Sequence, residues 1–342
     1  MLSKPYNLKM KYNIVFSLPV HEKFDVILDQ LYNIKTLNNE CAVIIHLSPS
    51  FDKKSSLLSR EKFEKILSEE FATFAYINPT SVRTGWFDII QAHICNYDYA
   101  KNSLDFEYFA PIASNELFVK SGLYDYIKSY DCGIGYKEYK RSSSHRGSRL
   151  AFKDKSFESI RKELNYDKVI WSQIEGTFYK AEIFGMICEI VKRNYDYNEV
   201  QEFYEREEMY LPTILWGKYE SLIKILKNQY YTYVPWGRST LTTRLQEAIE
   251  FSNNPQSHYF SIKRVQRDNA DFVRTYFRQL YRYDDKLKQY VPSIENVDYD
   301  KLLKLERYDY LKKSLLRRWH VIKYYFTNFK DIAAIFKQKY LE

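Results

Sequence analysis

The chain has 342 residues, a net charge of +8 and 45% hydrophobic residues, with 33 Tyr, 22 Phe and 5 Trp. That length fits one large α/β domain with an extension, or two ordinary domains. Cys41, Cys95, Cys132 and Cys188 form no C-x-x-C pair and have no His at ligand spacing, which excludes a zinc-finger or redox motif and suits a reducing compartment. The segment Met1–Lys11 has neither a signal-peptide core nor a span of about 20 apolar residues, so the expected location is cytoplasmic, soluble or peripheral on the inner membrane face.

In chain order, Asn13–Leu18 reads as a buried strand, Phe24–Leu37 as a helix and Ala42–Leu47 as a second strand ending in Ser48-Pro49-Ser50. This is a βαβ unit, and such units bind ligands beyond the strand C-termini, which singles out Val20, His21 and Ser48. His21 is equally an ordinary hydrogen-bonded histidine. A polar helix over 59–70, a short strand over 73–77, a helix from Trp86 to Tyr99 and a strand over 108–113 follow. Gly133-Ile134-Gly135 lacks the strand and helix context of a glycine fingerprint. Residues 136–149, with five Lys and Arg around three serines, read as a mobile basic loop in which Arg146 either clamps an acceptor or is simply solvated. A strand or turn and then a helix occupy 169–192. Over Lys218 to Tyr233 a helix passing into a Tyr-rich strand that ends at Val234-Pro235-Trp236-Gly237 is expected next. A helix over about 242–252 then leads to Tyr259-Phe260-Ser261-Ile262-Lys263-Arg264, and the remainder from Asp271 looks helical.

The segment Glu205-Arg206-Glu207-Glu208-Met209-Tyr210-Leu211-Pro212-Thr213 sets carboxylates against an apolar run. A carboxylate desolvated there gains a pKa suited to a general base, whereas a solvated face would leave all three ordinary. From Arg307 to Glu342 nine Lys and Arg stand against three acids. Leu311, Leu315, Trp319, Ile322, Phe326, Phe329, Ala333, Phe336 and Tyr340 recur at helical spacing there. This basic amphipathic helix fits an anionic membrane surface, its own domain, or a second subunit in a homodimer.

Together these pieces resemble the core-2 branching N-acetylglucosaminyltransferase and xylosyltransferase family, in order through about the first 270 residues. The resemblance lies in Val20-His21-Glu22-Lys23, Ile44-Ile45-His46-Leu47-Ser48, Thr84-Gly85-Trp86, Tyr108 to Phe118, Glu207 to Ile214 and Tyr259 to Lys263. It implies a GT-A-like α/β fold over residues 1–268, a single Rossmann-type mixed sheet flanked by helices, with a helical extension over 269–342. It also implies inverting, metal-independent transfer from a nucleotide-sugar, with a UDP-sugar as the expected form. The acceptor would be a saccharide or lipid-linked oligosaccharide, in surface polysaccharide synthesis.

Glu208 falls at the family's catalytic carboxylate, five residues before Thr213, and Lys263 at the base that meets the donor diphosphate. Arg264 and Arg238 are further phosphate candidates, Val20, His21, Ser48 and Trp86 donor-side, and Glu116, Arg146 and Trp236 acceptor-side. Tyr233 and Trp236 are aromatic enough to stack on a sugar. Ser48 stands where the family has Asp, and Glu116 and Phe118 replace an Asp and a Pro, so an inactive relative is an open alternative. The one Asp-x-Asp, Asp298-Tyr299-Asp300, lies far from any βα turn and reads as a helix start, so no divalent metal is expected. A nucleic-acid or membrane-binding protein is the rival class. The positive charge sits in the tail and no nucleic-acid motif is present, so no nucleic acid is expected.

Overall fold

The strand Lys11–Val20 (β1) is an almost unbroken apolar run because both its faces are covered. Ile14, Phe16, Leu18 and Val20 point to one apolar cluster and Val15 to another, the alternation a strand imposes. The computed structural model describes residues 9–21, 23–49, 58–85, 88–196, 204–235, 242–290 and 298–327. Trp86, Trp236, Arg238 and the tail beyond residue 327 lie outside these.

β1 pairs in parallel with Cys41–Leu47 (β2) on one side and Asp105–Pro111 (β4) on the other, and β2 pairs in parallel with Ala75–Ile77 (β3). The sheet continues through Phe178–Lys180 (β9), the one reversed strand, to Cys132–Ile134 (β6) and Ile225–Lys227 (β10), giving seven strands in the order β10-β6-β9-β4-β1-β2-β3. Helices Phe24–Leu37 (α1) and Arg60–Glu70 (α2) pack their apolar residues on one face. Ile90–Ser103 (α3), Ala181–Asn194 (α7) and Glu207–Lys218 (α8) cover the other. The protein is therefore a mixed α/β fold built on one central sheet with helices on both faces.

Two small sheets supplement it. Glu116–Phe118 (β5), Thr232–Tyr233 (β11) and Ser261–Lys263 (β12) form one, and Lys137–Tyr139 (β7) with Val169–Trp171 (β8) the other. The expectation of a single sheet is thus extended, and two local expectations are corrected. Residues 136–149 do not form one loop. They hold β7 and the start of the helix Arg146–Ala151 (α5), where His145 Nδ1 accepts the Ser148 N–H (3.2 Å). No helix follows Lys218 either, because the chain turns into β10, and Asn228 then adopts a left-handed φ of 58° that a continuing helix would not allow.

After β12 come Phe272–Leu280 (α10), Asp284–Lys288 (α11) and the long Tyr299–Thr327 (α12). Asp298 opens α12, its carboxylate accepting the Lys301 N–H, so the Asp-x-Asp is a helix start. α10 is fastened to α1. Arg274 and Arg278 meet Asp29 at 2.6 and 3.5 Å with all three side chains fully buried, and Asn269 donates to Asp25. The extension expected from residue 269 therefore begins on a segment built into the domain.

Candidate active site

A cleft of about 490 Å³ opens beyond the C-terminal ends of β1 and β4, where Pro19, His21 and residues 111–115 form its floor. Open α/β sheets place ligand sites at this edge, because the strands end there and the following loops diverge. Carboxylates Glu175, Glu205, Glu207 and Glu208 and cations Lys263, Arg264 and Arg267 share this cavity.

Glu208 owes its position to α8 and β8. Pro212 has no N–H, so the Glu208 carbonyl four residues earlier loses its partner within the helix. The Ser172 N–H takes that carbonyl at 3.0 Å, and the Ile170 N–H donates to Thr213 Oγ1 at 2.9 Å. The helix is thereby laid along the edge of β8. Trp171, on the same strand, donates its indole N–H to Glu208 Oε2 at 2.7 Å. Both the main chain and the carboxylate of Glu208 are held by the consecutive residues Trp171 and Ser172. The segment entering α8 is anchored separately, with Asp154 Oδ2 accepting the hydroxyls of Tyr204 (2.7 Å) and Tyr210 (3.0 Å) and the Arg206 Nε–H (3.2 Å).

Burial pushes the Glu208 carboxyl up to about 8, and the neighbouring Glu175 adds to the rise, while the Trp171 bond and Lys263 oppose it. A helix N-terminus favours an anion by about 0.3–1 kcal/mol. Here desolvation outweighs that effect. Glu207 is driven well above the usual carboxylate range, chiefly by burial and then by Glu208.

The cationic residues come from β12 and the turn after it. Lys263 lies opposite Glu116 in the β12–β5 register and forms an ion pair with the buried Glu175. Arg264 takes a left-handed φ of 64° and donates to the Pro235 carbonyl at 2.8 Å. Burial holds its guanidinium below the usual range. The next turn carries Arg267 into the cleft.

A buried polar network supports the remaining wall. Ser17 Oγ meets His93 Nδ1 at 2.8 Å, and Asn96 Nδ2 donates to Ser17 Oγ and the Ile44 carbonyl, both at 3.0 Å. His46 Nε2 accepts the Val82 N–H (2.9 Å), and Ser81 donates to the Leu47 carbonyl (2.7 Å), so the loop bearing Thr84 and Gly85 is tied across the end of β2. Burial lowers His46 to about 4 and His93 to about 3, so both are neutral hydrogen-bonding groups.

Of the residues singled out by sequence, the structure brings His21, Glu208, Lys263 and Arg264 together in this cleft. Val20 is fully enclosed in the core and Ser48 is buried at the end of β2, and neither lines the cavity. Glu116 is buried beneath it. Its Oε1 accepts the hydroxyls of Thr232 (2.7 Å) and Ser261 (2.6 Å), and Oε2 accepts the Ala113 N–H (3.1 Å), so it stitches β5, β11 and β12. Arg146 is exposed on α5, outside the cleft, and Tyr233 packs on Phe251 and Tyr259. Sequence reasoning missed Glu175, Arg267, Ser114 and Asn115 as cleft residues. Glu175 lies just past the Trp171-Ser172 pair that holds Glu208, which was its only sequence signal. Among the described residues no three His, Cys, Asp or Glu side chains are disposed to hold a metal ion.

Fold and site thus define a mixed α/β protein with one polar, charge-divided cleft at the strand C-termini. No protein-family model matches the sequence and no curated protein matches it significantly, so the core-2 and xylosyltransferase resemblance rests on its motifs alone. Among solved structures, the chain is similar to the apo form of glycosyltransferase GlyE of Streptococcus pneumoniae TIGR4, with 10% identity and a TM-score of 0.40, over 85% of this chain and 66% of that one. It is also similar to galactosyltransferase LgtC in complex with donor and acceptor sugar analogues, with 10% identity and a TM-score of 0.40, over 85% and 98% of the two chains. An active-site mutant of LgtC matches with 11% identity and a TM-score of 0.39, over 86% and 100%. The chemistry of the cleft, not this distant likeness, bears on function.

Proposed function

We propose that the protein is an inverting glycosyltransferase that moves a sugar from a nucleoside-diphosphate donor, a UDP-sugar in the first instance, to a saccharide hydroxyl. The observation that carries this is the meeting, in one cleft, of the buried Glu208 carboxyl, which desolvation pushes up to about 8, with three cationic side chains. Glu208 removes the acceptor proton as that oxygen attacks the anomeric carbon, and the C–O bond to the diphosphate breaks on the opposite face. The leaving diphosphate gains charge, and Lys263, Arg264 and Arg267 answer it without a divalent metal. Glu175 neutralises Lys263, so donor binding exchanges one anion for another at this ammonium.

A thermal-shift screen of nucleoside diphosphates and their sugars in excess EDTA tests the reading. A ligand at 100 times its Kd stabilises by about 2.7 kcal/mol, so at least one diphosphate raises the melting temperature by several degrees. A flat response to every nucleotide, or one restored only by magnesium or manganese, would overturn it.

We further propose that α12 brings the enzyme to an anionic membrane holding a lipid-linked acceptor. No helix among the described residues is long and apolar enough to cross a membrane. α12 instead exposes Leu305, Leu311, Leu315 and Trp319, and its sequence carries eight Lys and Arg against three acids. That charge suits acidic headgroups and opposes apposition of two such helices. Wild-type protein floats with vesicles containing anionic phospholipid and the Leu315→Glu/Trp319→Glu variant does not; equal flotation would remove the membrane role.

A further inference from the structure

Glu207 is adjacent to the proposed base and has no part in the transfer step itself. It is only 5% exposed and belongs to the cleft wall, and among the described residues its Oε2 has no hydrogen-bond partner. Its electrostatic surroundings are acidic, with Glu208, Glu175 and Asp88 all disfavouring its charge. Buried polar atoms are satisfied in the great majority of cases, and a carboxyl left short of a partner costs stability unless something else completes it. Arg206 is paired with Asp154, Lys263 with Glu175, and Arg264 donates to the Pro235 carbonyl. A neutral carboxyl offers one O–H donor and one carbonyl acceptor side by side. That pair matches a sugar hydroxyl, which also both donates and accepts.

Resting on the glycosyltransferase reading, we propose that Glu207 is an acceptor-binding residue whose carboxyl engages the saccharide hydroxyl next to the one Glu208 deprotonates. Successive residues at the start of α8 would then hold two neighbouring hydroxyls of one ring, one for orientation and one for reaction. Because α8 is fastened to β8 through Thr213 and the Glu208 carbonyl, the two carboxyls keep a fixed relation to each other. A ring lacking that second hydroxyl leaves Glu207 unpaired again. Sites built to hydrogen-bond a hydroxyl discriminate strongly on this ground.

The test compares wild type with Glu207→Gln and Glu207→Met in three measurements. Apo melting temperature at pH 8 reports whether the carboxyl supports the fold. Thermal shift with nucleoside diphosphates reports the donor side. Saturation-transfer NMR with a panel of methyl glycosides and their monodeoxy forms reports the acceptor side. The expected result is an apo Glu207→Met protein at least as stable as wild type, with unchanged diphosphate binding and saccharide affinity reduced roughly 10- to 100-fold. Glu207→Gln, which retains a donor and an acceptor, loses less. Loss of apo stability in Glu207→Met, or unchanged saccharide affinity, overturns the assignment. So does a wild-type protein that binds diphosphates but no glycoside of the panel, a result that leaves the donor-side reading standing. A wild-type protein that binds neither overturns both.

Discussion

Glu208→Gln should abolish most sugar transfer and still unfold at a higher temperature than the wild type at alkaline pH. The loss follows from removing the proton acceptor, a contribution of roughly 10²- to 10⁴-fold to the rate. The geometry survives, because the Gln amide oxygen still accepts the Trp171 indole N–H and the Glu208 carbonyl bond to Ser172 is main chain. The stability gain has a sign fixed by the carboxyl's titration. Its folded value of about 8 lies above the ordinary 4.5, so the native state holds its proton more tightly than the unfolded chain. Stability contributed by the neutral carboxyl is complete below about pH 4.5 and is lost as pH rises through 8. Gln never ionises, so the two proteins melt alike below about pH 4.5, diverge progressively as pH rises to about 8 and keep a constant difference beyond it. The plateau is about 1–3 kcal/mol once solvent in the cleft is allowed for. Wild-type kcat/KM should rise about tenfold per pH unit up to about 8 and then level, reporting the free enzyme's base. Melting curves that coincide at every pH would sink the desolvated-base assignment, and so would transfer at near wild-type rate in the variant with donor binding intact.

The same residue shows what could be read from the chain and what could not. α1 is where the apolar spacing puts it, from Phe24 to Leu37, and β1 and β2 are visible as buried runs, because a long element with one consistent periodicity announces itself. The Glu208 segment, Lys263 and His21 were legible through motif order and fall in one cleft. Strands of three residues such as β9 and β10 have no room for a period, so the reversal at β9 and the absence of a helix after Lys218 were invisible. Glu116 was misleading for a different reason. The family resemblance set it at an acceptor-side Asp position, and only the folded chain shows its carboxylate enclosed with Thr232 and Ser261. Arg267 and Glu175 could not be found from spacing, since what assembles them is the meeting of the turn after β12 with the segment after β8. Those long-range junctions are set by side chains far away in sequence, and one of them governs the second large effect.

Asp29→Ala should cost about 3–5 kcal/mol, the size expected when one partner of a buried ion pair is removed and its charge is stranded. Asp29 on α1 receives Arg274 and Arg278 from α10, and none of the three side chains is more than 1% exposed. The guanidiniums also serve the chain before α10. Arg274 Nε donates to the Gln266 carbonyl at 2.9 Å and Arg278 to the Asn269 carbonyl at 2.5 Å. Gln266 adjoins Arg267 and follows Arg264 by two residues, so the ion triad sets the turn that brings both cations into the cleft. Urea denaturation should show the loss in Asp29→Ala as a lowered midpoint with an unchanged slope. The triple variant Asp29→Leu/Arg274→Met/Arg278→Met separates stability from positioning. Replacing a whole buried charge cluster by apolar groups of similar volume is often neutral or stabilising, so the midpoint should return most of the way to wild type. The bonds to the Gln266 and Asn269 carbonyls are absent in that variant, and diphosphate affinity should remain at least several-fold weaker. Recovery of both stability and nucleotide affinity would show that the triad only holds α10 to α1, and that the cationic turn keeps its shape without it.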